Sequence, residues 1–220
     1  MSADRPMTPR ERVRTSLMHQ NPDRTPFSWN FGPTPEMAQT LQEVLAARGL
    51  DWSSLRLAVD DVRSISPRYV GPTLPPNTDI WGIEREPQSY GEVIYQEISH
   101  HPLAGITDPE DLDEYAWPDP DLYDYGGLPD LLARIDPEGL RARKLAIDAC
   151  GNTFEIYTWM TGLEETMVNL LIRPEVVRAA LSHITDFFAV KMRRSLAGIG
   201  NELDLVYFAD DLGGQQTLLF

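Results

Sequence analysis

The chain has 220 residues, 34 acidic and 19 basic, for a formal net charge of -15. At about 100–200 residues per domain that is one large domain or two small ones, and a composition 42% hydrophobic and 9% aromatic builds a core rather than a disordered chain. The acidity argues against nucleic acid and against an anionic membrane surface as partners, and against a heavily anionic small substrate.

Cys150 is the single cysteine, so neither an internal disulfide framework nor a paired-cysteine metal knuckle is available. No apolar run approaches a membrane span of about 18–20 residues. Met1-Ser2-Ala3-Asp4-Arg5 leads into polar residues rather than a signal-peptide core. These features point to a cytoplasmic protein.

In chain order, Thr8-Pro9-Arg10-Glu11 reads as a capping box that opens a helix through Val13, Leu17 and Met18, stopping near Asn21-Pro22. Phe27-Ser28-Trp29-Asn30-Phe31, between Pro26 and Gly32, reads as a buried strand. Thr34-Pro35-Glu36 starts a second helix, with Met37, Leu41, Val44 and Leu45 on one side and a stop at Arg48-Gly49. Leu55-Arg56-Leu57-Ala58-Val59 reads as a second, weaker strand. Residues 66–127 are rich in proline and aromatics and form an excursion. Within it Glu92 to Ile98 alternates like a half-exposed strand, with a turn at Gly91.

Lys144 to Asp148 and Leu205 to Ala209 read as further buried strands. Between them a long helix starts near Pro174 and buries Val176, Val177, Ala180, Leu181, Ile184, Phe187 and Phe188 before Gly198 or Gly200. Strands alternating with helices predict βαβ units and a parallel sheet. The last strand has no helix after it to cover the sheet, so the chain is expected to stop inside its domain.

Carboxylates follow three of these strands: Asp60 and Asp61, Asp148, and Asp210 and Asp211. Such acids suit general acid–base work or stabilisation of a cationic substrate, but aspartate also caps helices and turns. His100-His101 on a strand would point to opposite faces, which disfavours a shared metal; His101 is expected to pack or hydrogen-bond at the end of the hairpin. Cys150 before Gly151-Asn152 is a ligand or nucleophile on one reading and a small core residue on the other. Gly213-Gly214 is only a weak anion-binding signal.

The opening Thr8 to Val13 and Asn21 to Phe27, then Asp61-Val62-Arg63, Pro67 to Pro72, Asp79-Ile80-Trp81-Gly82 and His101-Pro102-Leu103-Ala104, together resemble the uroporphyrinogen decarboxylase superfamily. Trp117 to Pro120, Phe154-Glu155, Arg173-Pro174-Glu175 and Asp210 to Gly213 continue the likeness, closest to the corrinoid methyltransferase-like branch. The resemblance implies an α/β fold: a TIM-type (β/α)8 barrel, incomplete at the C-terminus, with a hairpin-containing excursion after the second strand. Residues 1–220 would form one partial barrel domain, with 66–127 as the excursion within it.

Carried over, the likeness puts Asp61 at the catalytic aspartate, Asp210 and Asp211 at a pocket position that is serine in the decarboxylases, and Tyr157 or Thr158 near a pocket tyrosine. The expected catalytic residues are Asp61, Asp210 and Asp211, and the expected substrate contacts Asn30, Arg63, Glu155 and Tyr157. Where decarboxylases carry an arginine-bearing loop for substrate carboxylates, this chain has Asn30-Phe31-Gly32-Pro33-Thr34. That departure favours methyltransferase-like one-carbon transfer to a corrinoid or thiol. Decarboxylation of the porphyrin-biosynthesis type (a lyase) and a non-catalytic barrel fragment are the alternatives. By resemblance zinc and a corrinoid are the cofactors, although no zinc ligands are seen in the chain. A small-molecule substrate, a corrinoid protein and a second copy in a homodimer are the expected partners.

Overall fold

A computed structural model describes residues 5–30, 32–91, 93–147, 151–214 and 216–219. Phe31, Glu92, Asp148 and Cys150, which figured in the expectations above, lie outside them. In chain order the elements are α1 (Pro9–Leu17), α2 (Pro35–Ala46), α3 (Trp52–Val59), β1 (Val62–Ile65), β2 (Arg68–Tyr69), β3 (Glu84–Tyr90) and β4 (Val93–His100). They continue with β5 (Tyr123–Asp124), α4 (Leu128–Ile135), β6 (Ala142–Ala146), α5 (Thr153–Thr161), α6 (Leu163–Ile172), α7 (Pro174–Ile199) and β7 (Leu205–Tyr207). Among the described residues no helix is long and apolar enough to cross a membrane.

The chain divides into two compact units. The first comprises Met1–Ser66, Gly126–Ala146 and Gly198–Tyr207, and the second Pro67–Tyr125, Ile147–Ala197 and Phe208–Phe220.

The first unit is built on a parallel sheet of order β1-β6-β7. Val62 stands opposite Ala142 and Ile65 opposite Leu145, while Lys144 and Ala146 pair with Leu205 and Tyr207. The sequence of β6 is buried on both faces at Ala142 and Leu145, as a parallel strand with cover on each side requires. Withdrawing a leucine such as Leu145 from water contributes about 1.5–3 kcal/mol. Helix α1 begins with the expected capping box: the Thr8 hydroxyl accepts from the Glu11 amide, and the Glu11 carboxylate accepts from the Thr8 amide. Its Val13 joins Val62 and Ala142 in a core cluster that Leu205 packs against. Helix α2 starts at Thr34 as read, but Met37 and Val44 on its apolar side stay about half exposed.

In the second unit, β2 pairs antiparallel with β5, and β3 with β4 in a hairpin turning at Gly91. The hairpin leaves Tyr90, Ile94 and Tyr95 exposed. Trp81, Phe187 and Phe188 form an aromatic core, with Trp81 meeting Phe187 edge-on at 5.0 Å. Helix α7 buries Val176, Val177, Ala180, Ile184, Phe187 and Phe188 of the stripe read from the sequence, while Leu181 is only partly buried. The α5–α6 junction is Gly162, whose φ of 87° is left-handed and glycine-favouring.

The expected (β/α)8 barrel, incomplete at its C-terminus, is not the observed fold. The described residues form a mixed α/β structure with a three-stranded parallel sheet and two separate two-stranded antiparallel sheets. Among the described residues two of the four expected parallel strands are absent. Leu55 to Val59 lies inside α3, because Asp51 caps that helix by accepting from the Ser54 amide. Its Leu55, Leu57 and Val59 are exposed, unlike a buried strand. Residues 27–30 are irregular because Asn30 is left-handed, with φ 44°, and Phe27, Trp29 and Trp52 stack edge-on at 5.2 and 5.1 Å. The hairpin therefore follows β2, not a strand at residues 55–59.

Candidate functional site

In the first unit, Asp61 precedes β1, so it stands at that strand's amino end and not at the carboxyl end of a preceding strand. Its carboxylate is 1% exposed and accepts from Arg12 Nη1 at 2.7 Å, from Arg24 Nη1 and Nη2 at 2.7 and 2.8 Å, and from the Phe27 amide at 2.8 Å. Two cations and an amide consume its lone pairs, a structural role for a buried anion. Arg63 spends its donors on main-chain carbonyls: Leu57 O at 2.9 Å and Ile135 O at 3.3 Å. Burial lowers its affinity for a proton, and the neighbouring Arg141 adds to that. Asn30 Oδ1 accepts from Lys144 Nζ at 2.6 Å.

In the second unit, four of the expected site residues fall near the start of α5. Asp210 caps this helix from a distant part of the chain: Oδ2 accepts from the Phe154 amide and Oδ1 from the Glu155 amide, both at 2.9 Å. The arrangement satisfies amides that Asn152, the N-terminal flanking residue, leaves without a side-chain cap. The same Oδ1 also accepts from the Asp211 amide at 3.0 Å, which ties Asp211 to the site.

Glu155 is half-buried and accepts from Asn152 Nδ2. Burial pushes its carboxyl above the ordinary carboxylate range; the Asn152 bond opposes this, and the charges of Asp211 and Asp210 reinforce it. Tyr157, one turn further along α5, is fully buried with its hydroxyl 3.5 Å from Asn169 Nδ2. Burial raises its hydroxyl pKa first of all, the Asn169 bond opposes that, and the charge of Glu165 adds to it. Tyr157 is a core group behind the cluster.

The residues flanking Asn152, Gly151 and Thr153, also line a cleft of about 450 Å³ walled by Phe188, Met192, Leu196 and Phe208. Gly151 has φ 74°, and a Cβ there would meet the Phe208 ring at 3.0 Å, so glycine keeps this wall closed against its neighbour without strain. The segment 151–155 thus joins an apolar cleft to a group of three carboxylates, one of them disposed to hold a proton. Such a cleft can bind a small, largely apolar molecule.

Asn152 was not anticipated, although Asn152-Thr153-Phe154-Glu155 has the spacing of a capping box. Asp204 was not anticipated either. It accepts from Arg10, Arg14 and the Arg143 amide in the first unit, and no local spacing announces those partners. His101 bonds as expected: its Nδ1 lies 2.7 Å from Trp159 O.

Among the described residues no group of three or more His, Cys, Asp and Glu side chains is placed to hold a metal ion. They do not fit the zinc that the resemblance implies, and Cys150 lies outside them. No family model matches the chain, and comparisons with curated proteins and with solved structures return no match.

Proposed function

We propose that the chain is a cytoplasmic enzyme of the methyltransferase-like branch of the uroporphyrinogen decarboxylase superfamily, passing a one-carbon group from a small, largely apolar substrate to a corrinoid or thiol acceptor. The order of short motifs along the sequence supports the family. The observation that carries the chemistry is the Glu155 carboxyl, whose pKa is raised by burial and by Asp211 and Asp210, on the same segment as Gly151 and Thr153 of the apolar cleft.

When a methyl group leaves an ether oxygen for a nucleophilic acceptor, the C–O bond pair stays on oxygen. Glu155 supplies the proton that neutralises that oxygen, so the leaving group departs as an alcohol or phenol. Asp210 is a positioning residue, fixing the first turn of α5 through the Phe154 and Glu155 amides. Asp211 contributes charge that raises the proton affinity of Glu155.

The test is demethylation of guaiacol by the purified protein with cob(I)alamin as acceptor, followed as methylcobalamin formation across pH. The expected rate falls as pH rises through the raised Glu155 pKa. Glu155→Gln should remove that limb and slow turnover by about 100-fold or more. Absence of turnover, or a Glu155→Gln rate equal to the parent's, overturns the reading. Conversion of uroporphyrinogen to a less carboxylated product in a parallel assay would replace it with decarboxylation.

A further inference from the structure

A second cleft, in the first unit, lies outside the carboxylate site. It has a volume of about 400 Å³, within the range of small-molecule pockets. Ser28, Asn30, Ser53 and Ser64 contribute its polar wall, and Trp52, Leu57 and Val62 its apolar one. Three charged residues line it: Arg56, Arg63 and Asp60.

Two of those charges are already engaged. Arg63 donates to Leu57 O and Ile135 O, and its Nη1 lies 3.9 Å from Asp60 Oδ2. Asp60 Oδ1 accepts from the Val62 amide at 3.1 Å. Arg56 makes no hydrogen bond or ion pair among the described residues. Arg10, Arg12, Arg14, Arg24 and Arg143 of the same unit reach carboxylates, whereas Arg56, like Arg48, does not.

Its position is also defined. The guanidinium lies against Gly32, where a Cβ would come within 3.1 Å of Nη2, and Gly32 has φ 77°. Any other residue there would be strained and would press on Arg56. The uncharged groups lean toward donation as well. Asn30 commits Oδ1 to Lys144 Nζ, which leaves its Nδ2 to donate. Ser28 Oγ accepts from the Asn30 amide at 3.3 Å and keeps its own proton for a ligand. Between Ser28 and Asn30, Trp29 Nε1 is a buried donor with no partner among the described residues, and its ring meets Trp52 edge-on.

We propose that this cleft binds a small monocarboxylate with an apolar body, its carboxylate on Arg56 with Asn30 and the serine hydroxyls, its apolar part against Trp52, Leu57 and Val62. One unpaired arginine matches one anionic group, and its planar fork suits a carboxylate's two oxygens. Polycarboxylates are disfavoured, because no second unengaged cation lines the cleft.

The experiment is calorimetric titration of the whole chain with benzoate, with benzamide as its neutral counterpart, and with inorganic phosphate. Benzoate should bind saturably; benzamide should bind at least about tenfold more weakly for the loss of one charge-assisted contact, and phosphate at least about tenfold more weakly for the loss of the apolar contacts with Trp52, Leu57 and Val62. Arg56→Ala and Arg56→Gln should each weaken benzoate at least about tenfold, while Arg48→Ala outside the cleft leaves it unchanged. Circular dichroism should show all three folded, because residue 56 is exposed on a helix surface. No benzoate binding, equal binding of benzamide or phosphate, or benzoate binding indifferent to Arg56 would each overturn the proposal.

Discussion

Arg12 and Asp61 form an ion pair at 2.7 Å in which the side chains are only 7% and 1% exposed. Arg12 also binds Asp23 through Nε and Nη2, at 2.6 and 2.9 Å, and the Met7 carbonyl at 2.8 Å. The loop before β1 is thereby pinned to α1 by buried charge. Removing one member of such a pair leaves the other uncompensated, at about 3–5 kcal/mol. Asp61→Ala should therefore lower the urea midpoint sharply, and Arg24→Ala less, since Arg24 is 47% exposed. Equal midpoints for Asp61→Ala and the parent would show that the pair contributes nothing.

Acid should unfold the first unit through Asp204 and Asp23. Burial alone would raise the Asp204 carboxyl, but the Arg143 amide and the Arg10 and Arg14 guanidiniums outweigh it and hold it below 3.8. The Arg12 hydrogen bond brings Asp23 down to about 2. A depressed carboxylate stabilises the native state above its unfolded pKa, and that stability disappears as pH falls through the folded value. The loss should run from about pH 4 toward pH 2, and Asp204→Asn should be less stable than the parent at pH 7 with a flatter acid limb. A parallel acid limb in the variant would assign it elsewhere.

Glu155 has the opposite sign. Its folded pKa is raised above 4.5, so the native state binds the proton more tightly than the unfolded chain. Stability then falls as pH rises through the interval between the two values. Glu155→Gln should raise the melting temperature at pH 8 and leave it little changed at pH 4. A variant that gains nothing at pH 8 contradicts the raised pKa, whatever its activity.

Gly82 and Gly91 share φ 72° but differ in what a side chain would meet. At Gly91 a Cβ finds open space, whereas at Gly82 it would come within 2.7 Å of the Tyr115 hydroxyl, which donates to Trp81 O at 2.6 Å. Burial and the Asp79 charge push that hydroxyl up to about 12, so it remains a donor at neutral pH. Gly91→Ala should cost about 1 kcal/mol of backbone strain. Gly82→Ala should cost clearly more in the same denaturation assay; equal losses would mean that Tyr115 yields freely.

What the sequence made legible was local. The Thr8/Glu11 box, the Thr34 start, the Gly91 turn and the apolar stripe of α7 each depend on residues a few positions apart. The short apolar run at Leu55 to Val59 misled, since five residues do not separate a strand from a helix. The Asp51 cap before it was the arbitrating signal. In the candidate site, the carboxylates of Asp210 and Glu155 could be named individually, but their convergence depends on hydrogen bonds spanning 56 and 55 residues. The Asp61 carboxylate was visible too; its neutralisation by Arg12, 49 residues away, follows from tertiary packing alone.

The end of α3 ties local structure to the timing of synthesis. Leu57 O accepts from Arg63 at 2.9 Å and from Arg141 at 3.1 Å, and Asp60 O accepts from Arg141 Nε at 3.1 Å. Arg141 lies 84 residues after Leu57. At about 5–20 residues per second on the ribosome, roughly 4–17 s separate the two. Through that interval the carbonyls closing α3 have only water and Arg63 for partners, and the second guanidinium reaches them only when the chain entering β6 has been made.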